Sequence, residues 1–349
     1  MLACARLGAR WAHSLTQVTS RRVPRSRARD GYLYAVPAFA LPASLALCQS
    51  VDRVRGGSGV SLEPKFDGWR CQVLAGAGRV WSRHGTDLTH AFADIAQASG
   101  GLPDCVLDGE LVAVLDSGEL AFGKLQSRSG RGPRSNEGFT VHLAAFDVLA
   151  VGDTDWRPKR YEERRVRLLD LLDSGPPAIR PVPVTGDVAT ALDWVGALGG
   201  VEGLVMKPNL PYVAGRGSGW LKWRRMHSSE AAVLGVSGRT PATQCLILGL
   251  PRSGGRMQAV GVSLPLKQEV RHELLPLLRP ARATEAELPG TVGGLPGAAP
   301  VRYWPVIPEV VVEVEADQTK PREFGRFRHR PRVLRVRGDM SVQDLEPGS

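Results

Sequence analysis

The stretch Glu63-Pro64-Lys65-Phe66-Asp67-Gly68-Trp69-Arg70 decides how the first half of the chain is interpreted. Alternate side chains from Glu63 to Asp67 lie on one face of a predicted strand, and Gly68 permits a bend after it. Only seven of the 45 lysines and arginines in the chain are lysines, and Lys65 is one of them. Arginine stays protonated, whereas lysine can react as an amine. The stretch therefore predicts a strand, a bend and a candidate nucleophile at Lys65.

The composition is that of a basic globular protein. Its 349 residues are 43% hydrophobic and 23% charged, with a net charge of +10 and a pI of about 9.8. This length allows two domains. The charge favours a polyanionic partner such as nucleic acid, although a coding bias toward arginine explains the same excess. The five cysteines form no Cys-x-x-Cys pair, which argues against a zinc site.

The first 36 residues have a different composition from the rest. Seven arginines precede the first acidic residue, Asp30, and residues 31–51 carry no charge. Pro37 and Pro42 interrupt this apolar segment, which argues against a membrane anchor. We interpret residues 1–36 as a disordered arm or an extended start outside the fold. A nucleic-acid-binding tail and a targeting segment are the alternatives.

The hydrophobic pattern changes near residue 228. Before it, predicted helices at 90–98 and 161–172 are interspersed among predicted strands at 60–74, 73–83, 105–115, 140–150, 203–207 and 220–224. This mixture predicts an α+β domain of antiparallel sheets with helices over residues 37–228. The helix at 161–172 is expected to bury Val166, Leu169 and Leu172.

After residue 228, short strands predominate, at 231–236, 245–250, 258–262 and 310–314. One helix is predicted at 267–278, and a loop rich in Pro, Gly and Ala at 280–300. Several strands with a single helix predict a small oligonucleotide-binding (OB-fold) β-barrel over residues 229–345.

An amine that attacks phosphorus must be neutral, yet roughly one unperturbed lysine in a few thousand is neutral at pH 7. Nearby cations favour the neutral amine, and the sequence offers Lys207, Lys222 and Arg224 together with a bound magnesium ion. Metal ions of this class prefer oxygen ligands, for which Glu110 and Glu202 are the candidates. Each of these carboxylates lies next to a glycine that would let a ligand approach. Phe146 is a candidate for stacking on a purine.

This ordered series of motifs resembles the covalent nucleotidyltransferases, the superfamily of ATP-dependent DNA ligases, RNA ligases and capping enzymes. The motifs are Glu63–Arg70, Ser82–Gly85, Asp108–Glu110, Phe146-Asp147, Glu202–Lys207, Trp220–Arg224 and, near the end, Arg335–Asp339. The resemblance spans about residues 37–345. It is strongest to the compact stand-alone C-type DNA ligases of actinobacteria, which join a nucleotidyltransferase domain to an OB-fold domain. The segment Phe324–His329 supports that subgroup.

The resemblance implies that Lys65 attacks the α-phosphate of ATP to form a lysyl-AMP adduct, whose AMP passes to the 5′-phosphate of a nick before a 3′-hydroxyl seals it. It implies Mg²⁺ or Mn²⁺ held by Glu110 and Glu202. It also implies ATP contacts: Glu63 at the adenine, Arg70 and Glu110 at the ribose, Phe146 on the base, Arg83 at the AMP or nick phosphate, and Lys207, Lys222 and Arg224 at phosphates. Arg335, Arg337 and Asp339 form the motif of the OB-fold domain.

Two positions depart from the family pattern. Arg224 stands where many relatives have lysine, a change that a phosphate clamp tolerates. Met340 follows Asp339 where many ligases have lysine, which weakens the inference that this end of the barrel helps to expel pyrophosphate. Asp67 is expected to orient Arg70 or the end of the strand.

The predicted function is sealing of nicked duplex DNA in bacterial repair or recombination, by a monomer in the cytoplasm at the nucleoid and with no role at a membrane. A primase or an end-joining factor is a candidate protein partner. An RNA ligase of the same superfamily and a non-catalytic nucleic-acid-binding relative are the alternatives.

Overall fold

A computed structural model describes residues 37, 39–128, 131–134, 137–197, 200–238, 244–252, 256–293, 299–316, 325–327 and 329–345. The arm predicted at residues 1–36 lies outside them. The chain divides into two compact units, Met1–Arg224 and Arg225–Ser349, so the division falls close to the predicted boundary at residue 228. No helix in these described ranges is both long enough and apolar enough to cross a membrane.

The first unit contains ten strands among its described residues. They are β1 (Gln49–Ser50), β2 (Val60–Phe66), β3 (Trp69–Ala75), β4 (Arg79–Ser82), β5 (Cys105–Leu115), β6 (Phe139–Val151), β7 (Thr154–Asp155), β8 (Ile179–Pro181), β9 (Val201–Pro208) and β10 (Leu221–Arg224). Its α-helices are α1 (Ala93–Ser99), α2 (Phe122–Gln126), α3 (Tyr161–Leu172) and α4 (Val188–Ala197), and a short 3-10 helix spans Arg216–Ser218.

These strands form two sheets. One has the order β4-β3-β5-β6-β7, with β8 parallel to β6, and the other has the order β1-β10-β9-β2, with β1 parallel to β10. The chain passes from the second sheet to the first at Asp67 and Gly68, between β2 and β3. A Cβ on Gly68 would lie 2.2 Å from the backbone oxygen of Leu111, so glycine is required at this crossing. The predicted run 60–74 is therefore two strands in different sheets, and Lys65 lies beside the crossing.

The second unit is built on a curled antiparallel sheet. Its described strands are β11 (His227–Ser237), β12 (Cys245–Pro251), β13 (Met257–Val262), β14 (Ala286–Leu288), β15 (Val301–Pro305), β16 (Val311–Ala316) and β17 (Arg332–Val336). Strand β11 pairs with β12, β15 and β16, so it belongs to both halves of the curl. The helices are α5 (Gln268–Leu274) and α6 (Gly290–Gly293), with 3-10 turns at Leu275–Leu277 and Val342–Asp344. The α+β class and the β-rich second domain are thus confirmed, but the predicted loop at 280–300 contains β14 and α6.

Helix α3 has the predicted bounds, but the prediction of its buried face is wrong. Val166 is 60% exposed and Leu169 is 43% exposed, whereas Leu172 is buried as expected. The buried face instead carries the polar side chains of Tyr161 and Arg164 together with Arg165, Leu168 and Leu171. Polar groups are buried here because they have partners on neighbouring strands: Tyr161 hydrogen-bonds to Glu63 and Arg164 to Asp147.

Candidate active site

A cavity of about 290 Å³ opens in the first unit beside the crossing between the two sheets. Strands β2, β5, β6, β9 and β10 all contribute to its wall. It brings together nine residues predicted from the sequence: Glu63, Lys65, Arg70, Arg83, Glu110, Phe146, Lys207, Lys222 and Arg224. Such a concentration of charged groups in one concave site is typical of a binding or catalytic centre.

Lys65 lies at one side of this cavity with Glu202 as its partner. The Nζ atom of Lys65 donates a hydrogen bond to Oε1 of Glu202, and the same oxygen lies 3.4 Å from Nε of Arg224. Strand pairing explains this arrangement, because Gly203 is the register partner of both Lys65 on β2 and Arg224 on β10. The pKa of Lys222 is lowered by burial and by the positive charges of Arg224 and Lys65. Lys65 and Arg224 thus share one carboxylate, and Lys222 adds a third positive charge to the same cavity wall. This cluster of cations suits a polyphosphate.

A second carboxylate, Glu63, is held at the buried end of the cavity. Its Oε2 lies 2.8 Å from Nζ of Lys207, and its Oε1 accepts a hydrogen bond of 2.6 Å from the Tyr161 hydroxyl. Lys207 is 1% exposed and also donates to the backbone oxygen of Phe146 at 2.9 Å. Its ammonium lies 4.5 Å from the ring centroid of Phe146 and 4.1 Å from that of Trp220. The sequence indicates a phosphate contact for Lys207, and the structure places this ammonium against Glu63 and the aromatic rings.

Arg70 is fixed by the carboxylate of Asp108. Nε of Arg70 donates to Oδ1 at 3.0 Å and Nη2 donates to Oδ2 at 2.7 Å, a bidentate arrangement that fixes the guanidinium plane. The Tyr212 hydroxyl also donates to Oδ2 at 2.7 Å. The guanidinium lies 5.3 Å from the ring centroid of Phe146. The sequence indicates Asp67 for orienting Arg70 or the end of the strand, and the structure shows Asp108 holding Arg70.

Phe146 lies in the cavity wall and contacts a second aromatic ring. The ring centroids of Phe146 and Trp220 are 6.1 Å apart in an edge-to-face arrangement. Tyr212 packs edge-to-face on Trp220, with their centroids 5.5 Å apart. The indole of Trp220 is buried and also lines the cavity. The pair offers an apolar surface to a flat ring such as a purine.

Glu110 is the carboxylate whose titration is most altered by this site. Burial raises its pKa to about 7, with Asp67 and Glu202 also raising it and Lys65 and Arg70 opposing them. No group of three or more His, Cys, Asp or Glu side chains converges within the described part of the chain. Magnesium is commonly held by one or two protein carboxylates together with phosphate oxygens of a substrate. Glu110 and Glu202 fit that arrangement, because a divalent cation would relieve the repulsion between them.

The two glycines beside these carboxylates serve strand packing. A Cβ on Gly109 would lie 2.7 Å from Cδ1 of Leu143, and one on Gly203 would lie 2.0 Å from the backbone oxygen of Trp223. The sequence indicates that both glycines admit a ligand. That interpretation is wrong, because atoms of neighbouring strands, and not open space for a ligand, lie where a Cβ would be at Gly109 and Gly203.

Gly203→Ala is expected to force β9 away from β10 and to displace Glu202 from Lys65 and Arg224. Overpacking of this kind costs about 1–3 kcal/mol of unfolding free energy. Urea denaturation would measure the loss, and nucleotide binding should weaken with it. Gly186→Ala is the matched control, because a Cβ at Gly186 meets nothing within 4 Å. Equal stability of the two variants would contradict the packing argument.

The motif near the C-terminus lies in the second unit and forms ion pairs there. Arg337 donates to Asp339 at 2.8 Å and to Glu230 at 2.8 Å, while Arg335 donates to Glu313 at 2.6 Å. The hydrogen bond from Arg337 lowers the pKa of Asp339 to about 2. Met340 packs beside a small apolar cluster that contains Val311 and Leu345. Of the segment 324–329, Phe324 and Arg328 lie outside the described residues.

Sequence reasoning missed several residues of the cavity. Leu47, Cys48 and Arg216 line it. Tyr161 and Tyr212 do not line it, but they donate hydrogen bonds to Glu63 and Asp108. Burial raises the pKa of the Cys48 thiol. Arg216 carried a usable signal, since it lies shortly before the Lys222 motif in a glycine-rich stretch. The two tyrosines carried none, because their partners are distant in sequence.

Comparisons with known proteins show which family the chain resembles. A family model for the ATP dependent DNA ligase domain matches residues 43–224, more than half of the chain. The chain is 30% identical to DNA ligase C2 of Mycolicibacterium smegmatis over 333 residues, covering 86% of this chain and 92% of that protein. It is 30% identical over 280 residues to the multifunctional non-homologous end joining protein LigD of Mycobacterium bovis, covering 77% of this chain and 35% of that protein.

A solved structure also shares the fold. A Lig E DNA ligase aligns with a TM-score of 0.50 at 18% identity, covering 84% of this chain and 99% of that one. At this identity the likeness supports the fold alone. The family model and the relative matched over nearly its whole length confirm the resemblance that the motifs indicated. The chain belongs to the ATP-dependent DNA ligases.

Proposed function

We propose that this chain seals nicks in duplex DNA through a covalent AMP adduct on Lys65. The observation that carries the proposal is the position of the Lys65 amine. It lies in a cavity that combines a hydrogen-bonded carboxylate, Glu202, with the cations Lys222 and Arg224. An amine nucleophile, neighbouring cations that favour its neutral form and a cluster of phosphate-binding groups are the parts that phosphoryl transfer to lysine requires.

In the first step, the Lys65 ammonium loses its proton to solvent, which the positive charges of Lys222 and Arg224 favour, and the neutral Nζ attacks the α-phosphorus of ATP. The N–P bond forms as the bond from the α-phosphorus to the bridging oxygen breaks, and pyrophosphate leaves. Lys222 and Arg224 stabilise the negative charge that develops on the phosphate oxygens. The amine, the phosphorus and the leaving oxygen must be in line. The strands β2, β9 and β10 therefore contribute to catalysis by positioning the side chains that hold these atoms.

In the second step, an oxygen of the 5′-phosphate at a nick attacks the same phosphorus and breaks the N–P bond, which regenerates the amine. In the third step, the 3′-hydroxyl loses its proton and attacks the 5′-phosphate, and AMP leaves as the bond from that phosphorus to the AMP oxygen breaks. We assign Arg83 to the AMP or nick phosphate. We assign Arg335 and Arg337 of the second unit to the DNA, with Asp339 holding the Arg337 guanidinium through its ion pair. The net charge of +10 suits a polyanionic substrate.

The remaining residues are assigned to the nucleotide. Glu63 and Phe146 contact the adenine and Arg70 contacts the ribose, with Lys207 supporting this end of the site. Glu110 and Glu202 would hold Mg²⁺ or Mn²⁺, which when bound neutralises charge on the phosphates. The likeness to an end-joining protein supports a place in bacterial DNA repair, in the cytoplasm at the nucleoid. We propose action as a monomer, with a primase or an end-joining factor as the kind of partner.

Incubation with ATP labelled at the α-phosphate, followed by addition of nicked DNA, tests this function. The label is expected on the wild-type protein first, then on the 5′-phosphate of the DNA and finally in free AMP. Lys65→Ala should take up no label. An unlabelled wild-type protein that still binds nicked DNA would favour a non-catalytic relative. Sealing of an all-RNA nick in preference to a DNA nick would favour an RNA ligase.

A further inference from the structure

Tyr161 is a buried polar residue that the mechanism above leaves without a role. It begins helix α3, and its hydroxyl donates to Oε1 of Glu63, which is 98 residues away in the sequence. Tyr161 and Glu63 are each 2% exposed. A hydrogen bond between distant residues in a dry site fixes both side chains in place.

The carboxylate of Glu63 is held at both oxygens. Tyr161 donates to Oε1 at 2.6 Å, and the ammonium of Lys207 lies 2.8 Å from Oε2. Burial and the charge of Glu63 raise the pKa of Tyr161 well above its ordinary value, so the hydroxyl remains a donor at neutral pH. With both oxygens engaged, the carboxylate plane is fixed relative to the cavity that Glu63 lines.

The same helix also supports the neighbour of Phe146. Arg164, one turn after Tyr161, donates to both carboxylate oxygens of Asp147, at 2.7 Å and 3.0 Å. Helix α3 therefore fixes Glu63 directly, and it fixes Phe146 through the next residue in β6. These are the two residues assigned to the nucleotide base.

A carboxylate oxygen has room for more than one hydrogen bond. The oxygens of Glu63 can thus accept a further donor from the cavity while Tyr161 and Lys207 remain in place. The 6-amino group of adenine is such a donor, whereas guanine carries an acceptor oxygen at that position. A buried acceptor that faces another acceptor is strongly unfavourable, so a fixed carboxylate discriminates between the two bases.

We propose that Tyr161 is a positioning residue for base selection, which holds Glu63 so that its carboxylate accepts the 6-amino group of adenine. This proposal rests on the proposed function, because it places the base of the nucleotide at the Glu63 end of the cavity. Tyr161 itself touches neither substrate nor reacting atoms, so its effect passes through Glu63.

Tyr161→Phe tests the proposal, because it removes the hydroxyl and retains the buried ring. Formation of the labelled adduct would be measured with ATP and with purine riboside triphosphate, which lacks the 6-amino group. The KM for ATP should rise about tenfold, equivalent to about 1.4 kcal/mol, with little change in the maximal rate. With the analogue, the variant and the wild type should have the same KM, because neither can make the hydrogen bond to Glu63.

An equal rise in the KM of Tyr161→Phe for both nucleotides would mean that Tyr161 has a merely structural role. An unchanged KM for both would mean that it has no role in nucleotide binding. Either result overturns the proposal. Tyr303→Phe, in strand β15 of the second unit, is the matched control and should leave both KM values unchanged. Glu63→Gln supplies a second readout, and it should likewise lose the preference for ATP over the analogue. Failure of the wild type to form any adduct would instead contradict the proposed function.

Discussion

Lys65→Arg is expected to abolish formation of the covalent AMP adduct while leaving the fold intact. The substitution retains the positive charge and can retain the ion pair with Glu202 on β9. A guanidinium stays protonated at any pH a protein tolerates, so it offers no free electron pair to phosphorus. Labelling by α-labelled ATP should fall below detection, a loss of at least about 10⁴-fold, since no other path to the adduct remains.

Lys124→Arg is the control for that experiment. Lys124 is exposed on α2 and does not line the cavity, so this variant should take up label at the wild-type rate. The Lys65→Arg variant should still bind ATP, and it should still seal a nick whose 5′-phosphate already carries AMP, although more slowly. Persistent label on the Lys65→Arg variant would place the nucleophile elsewhere.

Arg164→Leu is expected to produce the largest loss of stability. Arg164 and Asp147 are an ion pair with side-chain exposures of 0% and 1%. Removal of one partner leaves the other charge buried without compensation, which typically costs about 3–5 kcal/mol. The backbone oxygens of Lys159 and Leu210, at 2.6 Å and 3.1 Å from Nη1 of Arg164, would lose a donor as well. Urea denaturation of the full chain, monitored through a spectroscopic signal of the first unit, would measure the change in unfolding free energy.

Arg79→Leu provides the contrast to that variant. Arg79 and Asp87 also form an ion pair, but their side chains are 50% and 48% exposed. Pairs of this kind contribute at most about 1 kcal/mol. In addition, a double variant that replaces both Arg164 and Asp147 with leucine should be less destabilised than the sum of its two single variants, because no charge is left unpaired. Similar losses for Arg79→Leu and Arg164→Leu would contradict the importance of burial.

Hydrophobic patterns in the sequence predicted correctly those strands and helices whose residues are buried along their whole length. Strand β5 matches its predicted bounds of 105–115 because apolar residues lie on both sides of Asp108-Gly109-Glu110 and nearly the whole strand is buried. For residues 60–74, the sequence predicted a bend at Gly68, but it did not predict that β2 and β3 belong to different sheets. The face of α3 could not be predicted, because the burial of Arg164 depends on Asp147 in another strand, and an apolar periodicity carries no information about such a partner.

The same limit applies to the site. The motif residues, from Lys65 to Arg224, were found because their types suit phosphate chemistry and because their order resembles a known family. Tyr161, Tyr212 and Asp108 hold those residues in place, and their roles follow from contacts between distant parts of the chain. For Lys207, the residue type indicated a charge contact, but only the fold showed that Glu63 is its partner.

The pairing of β1 with β10 has a consequence for how the protein is made. Ser218 donates to the backbone oxygen of Leu47, 171 residues earlier, and β1 pairs in parallel with Leu221 and Lys222. At a synthesis rate of about 5–20 residues per second, the ribosome needs roughly ten seconds or more to join these pieces. A nascent chain therefore has no complete nucleotide pocket until residue 224 has emerged. On the proposed function, ATP would bind only the finished cavity and would therefore stabilise fully folded copies of the first unit.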